Sequence, residues 1–139
     1  MNGVIAVRSL LVADTGVTAL VPAARIVAGV IPQGSGLPAI SIMSVSGINR
    51  NILMPGTSRR VTERVQVTVL AASYPDAKAI IRAVRAAAAD RMPAIDGLTD
   101  VTVHSDSAGP DFLDEETGIH MQTQDFRVSF NEARLASPS

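Results

Sequence analysis

The residues of this sequence that are best suited to chemistry are two histidines and one acidic segment. His104 and His120 are predicted on separate strands, and they could bind a metal only if those strands were neighbours and a carboxylate joined them. The acidic segment, from Asp111 to Gly118, does not follow the alternating ligand spacing of a calcium loop. We therefore interpret the histidines as surface or cross-strand residues. The acidic segment is interpreted as a solvated turn, with a weak cation site as the less favoured alternative.

The motifs that mark common enzyme classes are absent from the sequence. It has no Gly-rich phosphate loop, no G-x-S-x-G elbow and no H-E-x-x-H helix. It also has no cysteine, which excludes disulfides, thiolate metal sites and thiol nucleophiles. The sequence therefore predicts a protein that is not an enzyme and has no catalytic, cofactor-binding or metal-binding residues.

Composition predicts one compact domain. The chain has 139 residues, of which 47% are apolar and only 3% aromatic, so aliphatic side chains must fill its core. A formal net charge of -1 argues against a protein that grips nucleic acid along its surface. Arg82 and Arg85 project from a predicted helix without a stacking aromatic, which favours a solvated helical face. The apolar stretch from Val4 to Ala13 is too short to span a bilayer, so we expect a soluble protein made in the cytoplasm.

Hydrophobic spacing divides the chain into helices and strands. Val4, Val7 and Leu11 recur at helical spacing, while Ser73 and Asp76 form a plausible capping pair for a second helix. Valine alternates with polar residues between positions 61 and 71, which is typical of a strand with one buried face. The predicted helices cover about residues 3–13 and the stretch from 73 to just before 93. The predicted strands cover about residues 25–31, 39–46, 61–71, 101–103 and 119–130.

Short turns between neighbouring strands favour antiparallel pairing. The predicted fold class is α+β, with an antiparallel-dominated sheet of about five strands and two helices packed on one face. We expect a single domain over residues 1–131, followed by a flexible C-terminal tail over residues 132–139.

Residues 47–60 have the composition of a long loop, yet the segment contains several apolar side chains. Such a loop in a small domain usually contacts a partner. Its arginines are opposite in charge to the acidic segment, and a head-to-tail ring needs two different, complementary patches on each subunit. The candidate interface with another subunit or a partner therefore comprises Arg50, Ile52, Leu53, Met54, Arg59, Arg60, Asp111, Asp114, Glu115 and Glu116.

Four segments, taken in order, carry a resemblance to a known family. They are the opening helix with Ala19-Leu20-Val21 before Arg25-Ile26; Ile31-Pro32-Gln33-Gly34 before Leu37-Pro38-Ala39-Ile40; Val65-Gln66-Val67, then Ala71-Ala72-Ser73-Tyr74 and the helix with Ala77-Lys78-Ala79 and Val84-Arg85; and Glu116-Thr117-Gly118 before Asp125-Phe126-Arg127-Val128. With this combination, over about residues 6–130, the chain resembles the tail completion (tail terminator) proteins of siphophages and gene transfer agents. It departs from the family between Ser41 and Val45, where relatives usually carry an aromatic residue.

The resemblance implies a structural subunit of a homohexameric ring at the head-proximal end of the tail of a phage or phage-like particle. Such a ring stops tube polymerisation and allows joining to the filled head. The implied partners are other copies of the chain, the tail tube protein and the head–tail connector or neck protein. DNA would pass through the lumen without specific binding, and no membrane would be contacted. Two alternatives stay open: a head-closure or neck protein, and a cytosolic oligomeric α+β ligand-binding domain.

Overall fold

A computed structural model describes residues 2–32, 36–50 and 58–133, and for residues 48–50, 58–59 and 133 it describes the backbone alone. Within these ranges the chain forms three α-helices, a short 3-10 helix and six strands. The helices are α1 (Asn2–Ala13), α2 (Thr15–Leu20) and α3 (Tyr74–Ala88), and the 3-10 helix covers Ala23–Arg25. The strands are β1 (Ile26–Ala28), β2 (Ala39–Arg50), β3 (Ser58–Ala71), β4 (Leu98–Ala108), β5 (Phe112–Asp114) and β6 (Ile119–Ala133).

Local sequence signals determine where two of the helices begin. Asp14 caps α2, because its side chain accepts a hydrogen bond from the backbone N–H of Val17 at 3.0 Å. Ser73 caps α3 in the same way by accepting from the N–H of Asp76 at 3.3 Å, which confirms the predicted capping pair. The buried stripe of α3 recurs at helical spacing and comprises Ala77, Ile80, Ile81, Val84, Ala87 and Ala88. Among the residues that the structure describes, no helix is long and apolar enough to cross a membrane.

The strands form one sheet in the order β1-β2-β3-β6-β4, and the short β5 pairs with β6. Every pairing is antiparallel except that of β1 with β2. The prediction of an α+β fold with an antiparallel-dominated sheet is therefore confirmed, with β5 as an additional strand. The helices pack against one face of this sheet, and the opposite face carries no helix in the described part of the chain.

The core lies between the helices and the central strands β3 and β6. On β3, every second residue is buried: Val61, Glu63, Val65, Val67, Val69 and Ala71. Phe126 and Phe130 are the largest fully buried side chains, and they lie opposite Val65 and Val61 in the register. Burial of this apolar surface is the main favourable contribution to folding.

Glu63 is the one charged residue among these buried positions of β3. It accepts a hydrogen bond from the backbone N–H of Gly3 at 3.3 Å, in the first turn of α1. A carboxylate at this position satisfies an unpaired helical N–H group and is favoured by the helix dipole. Gly3 allows the close approach, because an added Cβ would lie 2.8 Å from Glu63 Oε2.

The predicted loop over residues 47–60 is wrong at both of its ends. Strand β2 continues to Arg50 and β3 begins at Ser58, with Cα partners running from Gly47 and Glu63 to Arg50 and Arg60. Because β3 also pairs with β6 along this stretch, ladder hydrogen bonds on both sides override the loop-like composition. Residues 51–57 of the predicted loop lie outside the described part of the chain.

Three other boundaries differ from the prediction. Strand β4 continues to Ala108 and β5 covers Phe112–Asp114, so the turn predicted from Asp111 to Gly118 is reduced to a four-residue connection before β6. Strand β1 ends at Ala28, because Gly29 adopts a φ of 88°. The pairing of β1 with β2 is parallel. Strand β6 ends at Ala133, and residues 134–139 of the predicted tail lie outside the described residues.

Candidate assembly interface

Asp111 is held by three side chains of its own chain. Tyr74 Oη donates to Asp111 Oδ2 at 2.8 Å, Lys78 Nζ donates to Oδ1 at 3.0 Å, and the Gln122 side-chain amide also donates to Oδ1. These donors, the Gln122 amide first, lower the pKa of Asp111 to about 2. The hydrogen bond to Asp111 raises the pKa of Lys78. Asp111 is therefore a fixed anion that joins the start of β5 to α3 and β6.

Four side chains around this anchor form an exposed surface, which we call the aromatic patch: Tyr74, Phe112, Leu113 and His120. Phe112 is 59% exposed and Tyr74 is 45% exposed. The Tyr74 and His120 rings meet edge to face with centroids 6.3 Å apart, and Lys78 Nζ lies 5.2 Å from the Tyr74 centroid. Together with Asp111 and two neighbours on β6, they line a cavity of about 200 Å³. The patch is a shallow apolar depression above a charged anchor.

An acidic turn, residues 114–118, lies beside the aromatic patch. Asp114 stabilises the turn, because its Oδ1 accepts from the Glu116 N–H at 3.0 Å and its backbone oxygen accepts from the Gly118 N–H at 2.7 Å. Gly118 closes the turn with a φ of 71°, a conformation that other residues rarely adopt. Glu115 and Glu116 are exposed on this turn. They bring negative charge to the rim of the apolar depression.

The predicted basic residues lie at the end of the β2–β3 hairpin where the chain passes from β2 to β3, which we call the basic end: Arg50, Arg59 and Arg60. The register places Arg50 opposite Arg60, and it places Arg59 and Arg60 opposite Glu132 and Asn131. The Arg60 guanidinium donates to the backbone oxygen of Asp100 at 2.8 Å. The predicted apolar members of the interface, Ile52, Leu53 and Met54, lie outside the described residues.

The basic end and the aromatic patch lie at opposite ends of the sheet. At one end of the β3–β6 ladder Ser58 pairs with Ala133, and at the other Ala71 pairs with His120. Strand β3 has 14 residues, so at about 3.3 Å a residue its two ends are roughly 40 Å apart. The structure thus brings the predicted acidic residues together at one end and the predicted basic residues at the other, and it does not join the two groups within one chain.

The family described as "Tail completion protein gp17" matches residues 5–130, which include both ends of the sheet. The chain belongs to the tail completion protein gp17 family. It is therefore a structural protein of phage tails. Among solved structures, a chain of the "Virion of native gene transfer agent (GTA) particle" has the same fold, with a TM-score of 0.67 and 19% identity over 92% of this chain and 93% of that chain. No curated protein matches the sequence closely enough to count as a relative.

In this family member, the helix-free face of the sheet carries a second cluster of charges. Arg64 Nε donates to Asp125 Oδ2 at 2.8 Å, and Gln66 donates to the other oxygen of Asp125 at 3.2 Å. Asp106 lies 3.7 Å from Arg64 Nε and accepts from Arg127 at 3.1 Å. Sequence reasoning missed this cluster, because only the register of β3, β6 and β4 brings these residues together.

The two histidines are far apart on the sheet. His104 on β4 lies opposite Arg127 in the register, and its Nδ1 lies 3.0 Å from Asp90 Oδ1. His120 lies at the other end of β6, opposite Ala71 and against Tyr74. In the described ranges, no three His, Asp or Glu side chains are grouped so that they could hold a metal ion.

Proposed function

We propose that the chain is a tail terminator, a subunit of a homohexameric ring that caps the tail tube and allows the filled head to join. The observation that carries the proposal is that the predicted acidic residues and the predicted basic positions lie at opposite ends of one sheet. Surfaces placed in this way suit head-to-tail contact between copies, and such a heterologous contact closes into a ring when the rotation between copies allows it. Membership of a tail completion family supports this role over other oligomeric functions.

The proposed mechanism is steric and uses no bond chemistry. One side of the ring would contact the last ring of tail tube protein and so stop polymerisation, and the other side would present a surface to the head–tail connector. The likeness to a chain of a gene transfer agent virion supports a position in a phage-like particle. The role needs neither a cofactor nor a metal.

DNA would pass through the lumen of this ring without specific binding. The helix-free face of the sheet supports this point, because Arg64 and Arg127 are both paired there with Asp106 or Asp125. Arginines that are already neutralised by carboxylates release fewer counterions on meeting phosphate, so they contribute less to nucleic-acid affinity. The net charge of -1 supports the same conclusion.

Immunogold labelling of purified particles tests the proposed position. We expect label at the head-proximal tip of intact tails and on isolated tails. Label on isolated heads alone would instead assign the chain to head closure. In particles assembled without the chain, we expect tubes of variable length and heads without tails. Tubes of uniform length joined to heads under those conditions would contradict the proposal.

A further inference from the structure

The aromatic patch contains half of the aromatic side chains of the protein. The sequence has three phenylalanines, one tyrosine and no tryptophan. Phe126 and Phe130 are buried in the core, whereas Phe112 and Tyr74 are exposed side by side at one end of the sheet. Exposed aromatic side chains in a shallow depression are typical of the central residues of protein interfaces.

Hydrogen bonds within the chain also hold the side chains of the patch in place. Asp111 fixes Tyr74 and Lys78 on α3 and Gln122 on β6 around one carboxylate. Strand β5 is paired with β6 through Phe112 and Leu113. A surface that is already ordered loses little conformational entropy on binding, so more of the contact energy appears as affinity.

The chemistry of the depression specifies its occupant. A cavity of about 200 Å³ accommodates one or two apolar side chains, and the exposed Glu115 and Glu116 beside it favour neighbouring positive charge. The chain itself contains a segment of this kind, in which Ile52-Leu53-Met54 is flanked by Arg50 on one side and by Arg59 and Arg60 on the other.

The basic end places three arginine positions next to one another in the β2–β3 register. Arg50 and Arg60 are cross-strand partners in the β2–β3 register. A group of basic positions favours a partner surface that carries carboxylates. In the sequence, this end combines three arginines with the apolar run Ile52-Leu53-Met54, whereas the other end combines carboxylates with an apolar depression.

We propose that the aromatic patch is a socket for residues 50–60 of a second copy of this chain. The two ends of one copy are separated by the length of β3, roughly 40 Å, so a copy cannot fill its own socket. Each copy then contributes its socket to one neighbour and its residues 50–60, which we call the plug, to the other. This inference rests on the proposed self-association, and it identifies the residues that bring the copies together.

Two matched substitutions test the socket and the plug separately. Phe112→Asp places a charge in the socket, and Leu53→Asp places the same charge in the plug. Met92→Asp is the matched control, because Met92 is 75% exposed and lies outside both surfaces. Size-exclusion chromatography with light scattering measures the molar mass, and circular dichroism verifies the fold. Leu113→Ser repeats the socket arm in case Phe112→Asp fails to fold.

We expect the Met92→Asp variant to assemble as the unmodified chain does, and the socket and plug variants to remain monomeric. The dissociation constant should rise at least about 30-fold, as for a central interface residue. An equimolar mixture of the socket and plug variants should form dimers and nothing larger. In such a dimer the one intact socket holds the one intact plug, and the two remaining sites are both defective.

The outcomes separate this inference from the proposed ring. If the unmodified chain assembles and either variant assembles equally well, the inference is overturned while the ring proposal stands. A mixture that contains only monomers would overturn it in the same way. If the unmodified chain is monomeric at every concentration, self-association itself is contradicted, and the inference falls with it.

Discussion

The two pairs of aromatic side chains occupy different environments. Phe126 and Phe130 lie on β6 beneath the helices and are fully buried, whereas Tyr74 and Phe112 lie at the end of the sheet and are about half exposed. The buried pair belongs to the hydrophobic core, and the exposed pair surrounds an anchored carboxylate beside an acidic turn. We therefore expect the buried pair to determine the stability of one chain, and we propose that the exposed pair contributes to what the chain binds.

The largest expected effect on stability is that of Phe126→Ala. Loss of a fully buried phenylalanine leaves a cavity and should lower the free energy of unfolding by about 3–5 kcal/mol. Phe112→Ala, the matched change at the exposed position, should lower it by less than about 1 kcal/mol. Urea denaturation of both variants measures the contrast. Equal losses in the free energy of unfolding would show that the exposed pair contributes as much to stability as the buried pair.

A second change disturbs the core from the side of α1. Gly→Ala in a helix is usually stabilising, by about 1 kcal/mol. At Gly3 the added Cβ would lie 2.8 Å from Glu63 Oε2 and 3.0 Å from Val65 Cγ2, so we expect Gly3→Ala to destabilise by about 1–3 kcal/mol. Thermal unfolding determines the sign. A rise in the melting temperature would mean that Glu63 moves aside without cost.

Ser73 connects the two environments, because it caps the helix that provides both the core stripe and Tyr74. Ser73→Ala removes the acceptor for the Asp76 N–H and should cost about 1 kcal/mol. Ser73→Asp, which keeps an acceptor, is the control and should cost less. Chemical denaturation of the two variants in parallel measures the difference, and equal stability would argue against the cap.

The smallest effect is expected from the anchor of the patch, and it depends on pH. The pKa of Asp111 is lowered from 3.8 to about 2, chiefly by Gln122 and then by Lys78 and Tyr74. A carboxyl group with a lowered folded-state pKa stabilises the fold above its ordinary pKa, and this contribution is lost as the pH falls towards 2. The melting temperature of Asp111→Asn should therefore fall less between pH 4 and pH 2 than that of the unmodified chain. An equal fall in melting temperature for the two proteins between pH 4 and pH 2 would contradict the role of Asp111 as an anchor.

Local patterns were sufficient to predict the parts of the fold that depend on neighbouring residues. The alternation along β3 and the capping pair Ser73 and Asp76 are both found in the structure. The extension of the β2–β3 hairpin to Arg50 and Ser58 was not predictable in this way. Its residues have the composition of a loop, and pairing with β6 holds part of the hairpin in the sheet.

The candidate site was predicted in part for the same reason. The carboxylates at positions 111, 114, 115 and 116 are adjacent in the sequence, so their cluster is visible without a structure. Tyr74 is 37 residues away from Asp111, and only the packing of α3 beside β5 brings the two together. The sequence does contain an apolar pair, Phe112-Leu113, inside the acidic segment. This pair could have indicated an apolar surface, but only the structure shows that β5 leaves both side chains exposed.

Native mass spectrometry of the purified chain tests most directly whether the copies join head to tail in a closed ring. The chain mass is 14.5 kDa. We predict one discrete assembly, because a closed heterologous ring leaves no unfilled socket or plug, and the proposed tail-terminator role sets its size at six chains. A monomer at every concentration, or an open series of increasing masses, would contradict the closed ring.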